Sequence, residues 1–127
     1  MKKILIVEDA IEIRNELLNT LSTGDNELHE AEDGAKAYDL LKSNSYDVLI
    51  LDYHLPDTTG IDLLRKLEDE GRKLQYPIIM LTSEPESPGS EIKDLNVVSW
   101  VLKPIDHERF IDLIDQVIDF YNRQQRK

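Results

Sequence analysis

Apolar positions along the chain follow two rhythms. Three short runs are continuous and rich in branched residues: 4–7, 48–51 and 78–81. A continuous run of that length fits a strand buried on both faces, as in a parallel sheet. Two less apolar strands are expected over 27–31 and 97–102. Between these segments the apolar residues recur at helical spacing. Ala10, Ile13, Leu17 and Leu21 mark a first helix, and Ala37, Tyr38 and Leu41 a second, after the Asp33-Gly34 turn. Leu63, Leu64 and Leu67 mark a third, closed by Gly71. The last helix carries Phe110, Leu113, Ile114, Val117 and Tyr121 on one stripe, and Asp106 before it suits an N-cap. Asp9, with Glu12 three residues on, reads as a capping box for the first helix.

The stretch Ser-Glu-Pro-Glu-Ser-Pro-Gly-Ser-Glu over 83–91 breaks the pattern. Pro85, Pro88 and Gly89 oppose a helix there. A fourth helix is therefore confined to about 90–95, with Ile92 and Leu95 as its apolar anchors. Strand–helix alternation of this kind predicts one α/β domain. It is an open, doubly wound, five-stranded parallel sheet with helices on both faces and a shortened fourth helix. The 127 residues suit a single domain, expected over 2–121, followed by a short basic tail at 122–127.

Charge and composition then remove whole classes of function. Lys and Arg number 15 against 26 Asp and Glu, a formal net charge of -11. Such a chain repels nucleic-acid phosphates and anionic membranes. The absence of cysteine excludes disulfides and thiolate metal sites. After Met1-Lys2-Lys3 the apolar run ends at Glu8, too soon for a secretion signal. No run approaches the ~18 apolar residues of a membrane-spanning helix, and a cytoplasmic protein is expected. No glycine-rich phosphate loop occurs, so nucleotide binding has little support.

Open α/β sheets bind ligands outside the carboxyl ends of their strands. In chain order those ends hold Glu8-Asp9, Asp52, Thr82 and Lys103-Pro104. Each has a plain structural reading. Asp9 can be a helix cap, Asp52 can open the turn before Pro56, Thr82 can be an ordinary β-branched strand residue, and Lys103 can snorkel at the surface. On one sheet edge together they form a crevice with three carboxylates, one hydroxyl and one ammonium. Two negative charges are left uncompensated, and close carboxylates repel unless a cation or protons intervene. Oxygen-only donors favour a hard cation, and Mg2+ typically takes one or two carboxylates while sharing a phosphate.

These residues carry a resemblance. Ile4-Leu5-Ile6-Val7-Glu8-Asp9, then Leu51-Asp52-Tyr53-His54-Leu55-Pro56 with Gly60, then Pro77-Ile78-Ile79-Met80-Leu81-Thr82, and finally Trp100-Val101-Leu102-Lys103-Pro104 form an ordered set. The set resembles the receiver domain of two-component response regulators, of the stand-alone chemotaxis type. The resemblance spans nearly the whole chain. It implies a flavodoxin-like strand order, 2-1-3-4-5. It implies that Asp52 is the phosphoacceptor, a carboxylate nucleophile. It also implies Mg2+ bound by Asp9, Asp52 and the backbone carbonyl of His54, with Glu8 acting through a bound water. Lys103 and Thr82 are expected to contact phosphoryl oxygens, and a cis Lys103-Pro104 bond is expected to aim the lysine inward. Thr82 and Trp100 are expected to form the switch that shifts the domain between two states. The implied partners are a histidine kinase or histidine phosphotransfer protein upstream, and downstream a protein partner or a homodimer through the last strand and last helix.

The chain departs from that pattern at several positions. Trp100 stands where Tyr or Phe is usual, and a buried indole N–H requires a partner. Asn96 occupies a usual glycine position, which asparagine can fill in a left-handed conformation. Ser83 replaces a common alanine. The domain is expected to accept and hydrolyse its own phosphoryl group without turning over a separate substrate. Other readings are a receiver cut from a larger multidomain regulator or hybrid kinase, a phosphorylation-independent binding module, and a magnesium phosphatase with an aspartate nucleophile. The last needs a second Asp two residues after the first, where this chain has His54.

Overall fold

The computed structural model describes residues 1–22, 24–84 and 95–125. Among these residues nine elements follow in chain order: β1 (Lys2–Val7), α1 (Ile11–Leu21), β2 (Asn26–Ala31), α2 (Gly34–Ser43), β3 (Val48–Asp52), α3 (Gly60–Asp69), β4 (Ile78–Thr82), β5 (Val97–Leu102) and α4 (His107–Gln125). All strand pairings are parallel, in the order β2-β1-β3-β4-β5. The three continuous apolar runs are the three central strands. β3 and β4 are buried at every position, as is β1 from Ile4 to Val7. The two less apolar segments are the edges, β2 and β5, where burial is mostly partial.

Successive side chains of a strand point to opposite faces, and the core divides accordingly. Leu5, Val7, Leu49, Leu51, Ile78 and Met80 face a layer with α2 and α3. Ile4, Ile6, Val48, Ile50, Ile79 and Leu81 face the layer of α1 and α4, where Leu17, Phe110, Ile114 and Val117 meet them. Gly60 opens α3 against the end of β3. A Cβ there would lie 2.9 Å from Met80 Sδ and 3.0 Å from the Asp52 carbonyl oxygen, so only glycine lets the helix start so close to the strand.

Several local expectations hold. Asp106 accepts from Arg109 N–H at 3.2 Å, Gly71 has φ +75°, Asn96 has φ 62°, and Lys103-Pro104 is cis. One is corrected. Asp9 does not cap α1: the N-cap is Ala10, with no side-chain cap bond, and the Asp9 carboxylate lies with the acidic cluster instead. α4 runs on past Tyr121, so residues 122–125 are helical. The short helix expected over 90–95 lies, apart from buried Leu95, outside the described residues.

Candidate acidic site at the strand ends

The parallel topology places every strand's carboxyl end on one edge, and the polar residues there converge. Glu8 follows β1 and is fully buried, while Asp52 ends β3 at 4% exposed. Carboxylate oxygens of Glu8, Asp9 and Asp52 all lie within 4.8 Å of one another. Lys103, just past β5, reaches across β4 into this group. Its Nζ stands 3.0 Å from Asp52 Oδ2 and 2.7 Å from Glu8 Oε1. Its backbone N–H donates to the Thr82 carbonyl at 2.8 Å, which fixes where the side chain departs.

Charge and burial set the ionisation of the group. Burial, and then the neighbouring Asp52, push the Glu8 carboxyl above its ordinary range, while Lys103 opposes both. Burial pulls the Lys103 ammonium down. Its bonds to Glu8 and Asp52 outweigh that, and the group is held above the usual lysine value. One ammonium cannot neutralise three carboxylates, so the site retains an unmet demand for positive charge. Oxygen donors alone, close enough to share one small ion, fit a hard divalent cation.

The remaining expected residues are found beside the cluster. Thr82 ends β4, is buried, and its Oγ1 accepts from Glu84 N–H at 3.0 Å. That contact uses an oxygen lone pair and leaves the hydroxyl proton to donate elsewhere. His54 N–H points at Asp52 Oδ1 from 3.4 Å, and its ring Nε2 meets Glu84 Oε1 at 3.0 Å. Trp100 lies on β5, paired with Met80 of β4. It is half-buried, with its ring centroid 6.0 Å from that of Tyr53. Its Nε1 is shielded and has no partner among the described residues.

Three contributors escaped the sequence reading. Glu84 pairs with His54 across the mouth of the site. Asp57 accepts from Gly34 N–H at 2.8 Å and Ala35 N–H at 3.0 Å, tying the loop after β3 to the start of α2. Arg14 is buried on α1 and donates to the Glu8 carbonyl at 2.7 Å. Only Arg14 left a readable trace, as a cation four residues from Ala10 and three from Leu17 on the apolar stripe.

Known proteins are similar to this chain over most of its length. The family model described as response regulator receiver domain matches residues 4–115. The chemotaxis protein CheY of Pseudomonas aeruginosa is 33% identical over 122 residues, covering 94% of this chain and 98% of that protein. The structure of Vibrio cholerae chemotaxis protein CheY4 superposes with a TM-score of 0.81 at 31% identity, covering 92% of this chain and 98% of that one. The response regulator TrrA from Thermotoga maritima, in complex with Mg2+ and BeF, does so with a TM-score of 0.72 at 26% identity, covering 92% of this chain and 99% of that one.

Proposed function

The chain belongs to the response regulator receiver domain family, and we propose that it accepts a phosphoryl group on Asp52 with Mg2+ and thereby switches a protein-interaction face. The observation that carries this reading is the position of Lys103 Nζ, ion-paired at once with Asp52 and Glu8 at the edge where Asp9 and Thr82 also converge. Asp9 and Asp52, with the His54 carbonyl, would hold the ion, and Glu8 would act through a bound water. When bound, Mg2+ supplies the positive charge that lets an anionic phosphoryl group approach three carboxylates.

The side chains then have distinct work. An Asp52 carboxylate oxygen forms the bond to phosphorus as the bond from phosphorus to the donor breaks, and the electron pair leaves with the donor. Lys103 moves from its carboxylate partners to a phosphoryl oxygen. The Thr82 hydroxyl moves toward another phosphoryl oxygen and donates a hydrogen bond to it. That displacement of Thr82 changes the room beside Trp100 on the neighbouring strand, and the population of the two states shifts by the differential contacts so gained. No separate substrate is turned over in this scheme.

Upstream, the donor is a histidine kinase or a histidine phosphotransfer protein. Downstream, a protein partner or second copy meets the last strand and last helix. A groove of about 460 Å³ supports this, running between β5 and α4 and lined by Val101, Leu102, Pro104, Ile105, Arg109 and Leu113. Leu102 beside it is 50% exposed. No helix among the described residues is long and apolar enough to cross a membrane, and we place the protein in the cytoplasm.

Intact-mass spectrometry after incubation with a small phosphodonor tests the central step. One added phosphoryl group is expected with Mg2+, and none with chelator or in Asp52→Asn. Undiminished uptake by Asp52→Asn is incompatible with the proposal.

A further inference from the structure

Arg14 stands on the core side of α1, among positions otherwise filled by apolar residues, and is 8% exposed. Its guanidinium makes two directed bonds. Nη1 donates to the Glu8 backbone carbonyl at 2.7 Å, and Nε donates to Glu30 Oε1 at 3.2 Å. Burying an arginine is costly unless it is paired and hydrogen-bonded, and both conditions are met here.

The place of the first bond matters. Glu8 N–H to the Ala31 carbonyl, at 3.1 Å, continues the β1–β2 ladder past Val7. Beyond it the chain leaves the sheet and turns into α1 within three residues. The Glu8 carbonyl and the Asp9 amide belong to one planar peptide unit. A donor locked on that carbonyl therefore fixes where the Asp9 Cα stands and how its carboxylate is presented. Asp9 is not the N-cap of α1, which is Ala10, and the direction of its side chain follows that peptide plane. Glu30, on β2 opposite Ile6, holds the other edge of the guanidinium. A rigid fork anchored at two points positions a carbonyl in a way that a flexible ammonium cannot.

We propose that Arg14, oriented by Glu30, is a positioning residue for the divalent cation. It holds the β1–α1 turn so that the Glu8 and Asp9 carboxylates face Asp52. This rests on the metal-assisted reading above. A plain structural brace predicts lower stability with unchanged cation affinity in the folded protein. A positioning role predicts lost affinity, because metal ligands must be held more closely than the fold itself requires.

Mg2+ binding to the purified chain, to Arg14→Met and to Glu30→Ala is measured by calorimetry, with thermal melts on each. The Mg2+ Kd is expected to rise about tenfold in Arg14→Met and about threefold in Glu30→Ala. At saturating Mg2+ the maximal phosphorylation rate from a small phosphodonor is expected to stay within about threefold of the unaltered chain, a loss of affinity rather than of chemistry. A folded Arg14→Met whose Mg2+ Kd lies within about twofold of the original overturns the proposal. Should Arg14→Met fail to fold, Glu30→Ala, altered at a strand residue whose side chain is 46% exposed, decides by the same criterion. Failure of the unaltered chain to bind Mg2+ overturns the metal reading itself, and the role of Arg14 with it.

Discussion

A partly buried lysine between two carboxylates is the residue on which the site's electrostatics turn. Lys103 is within 3.0 Å of Asp52 and 2.7 Å of Glu8, and it competes with any cation for them. Lys103→Ala removes that competitor, so Mg2+ affinity is expected to be retained or raised. The contact with the phosphoryl group is lost, and the Trp100 fluorescence change on phosphorylation is expected to fall away. A loss of Mg2+ affinity as severe as that of Asp9→Ala contradicts this role. A second residue-scale case is Asp57, whose two bonds from Gly34 and Ala35 hold its carboxyl below the ordinary range. A depressed carboxylate contributes stability above its unfolded value, and that stability disappears as pH falls through the folded value. Asp57→Ala is expected to cost about 1 kcal/mol in urea denaturation at neutral pH. The difference from the unaltered chain should shrink below about pH 4. Asp57 was not readable in the sequence, because an anion capping a helix 23 residues earlier leaves no local pattern.

Among the elements, α4 shows how far a helical pattern carries. The stripe of Phe110, Ile114, Val117 and Tyr121 is buried as its spacing demands, with Leu113 on the flank. The sequence also sets apolar residues outside that stripe, Ile111 and Ile118 on one flank and Phe120 on the opposite one, which a partner could cover. The monomer uses part of this set: Ile118 packs on the core beside α1. Ile111, 38% exposed, lines a cavity of about 360 Å³ with Leu21 and Ile114. Phe120 stays 51% exposed, one turn beyond Gln116 of the β5–α4 groove. The residues that probe an interface are thus the exposed Leu102 and Phe120. Leu102→Glu with Phe120→Glu is expected to change stability by no more than about 1 kcal/mol. The double variant should lower partner capture or self-association in sedimentation at least tenfold. Unchanged assembly in a folded double variant removes this face from the proposal.

For the molecule as a whole, the site is a charge imbalance built across β1 and β3, adjacent inner strands of the sheet. Repulsion among Glu8, Asp9 and Asp52 opposes folding, and a cation bound only by the folded chain adds stability by mass action. At a Mg2+ concentration of 100 times Kd the gain is about 2.7 kcal/mol, visible as a raised Tm. Asp9→Ala is expected to melt higher than the unaltered chain without Mg2+ and to respond weakly to the ion. An equal Mg2+ response in both proteins places the cation elsewhere.

The sequence alone determined the class of fold. Runs such as 48–51 have no polar side to offer water, so they must lie inside a sheet covered on both faces. The helical stripes supply the covers. It also placed Glu8, Asp9, Asp52, Thr82 and Lys103 at strand ends, because a strand stops where its apolar run stops. Tertiary structure decided what those residues face. The inward reach of Lys103 to both carboxylates, and the choice of Asp9 for the cluster over the helix cap, depend on strand ends brought together in space but dozens of residues apart in the chain. The cap from Asp57 and the hold of Arg14 on the Glu8 carbonyl depend likewise on how a loop or a helix packs against its neighbour. A hydrogen bond is a matter of distance and angle in space, and sequence periodicity reports only which face of its own element a residue occupies.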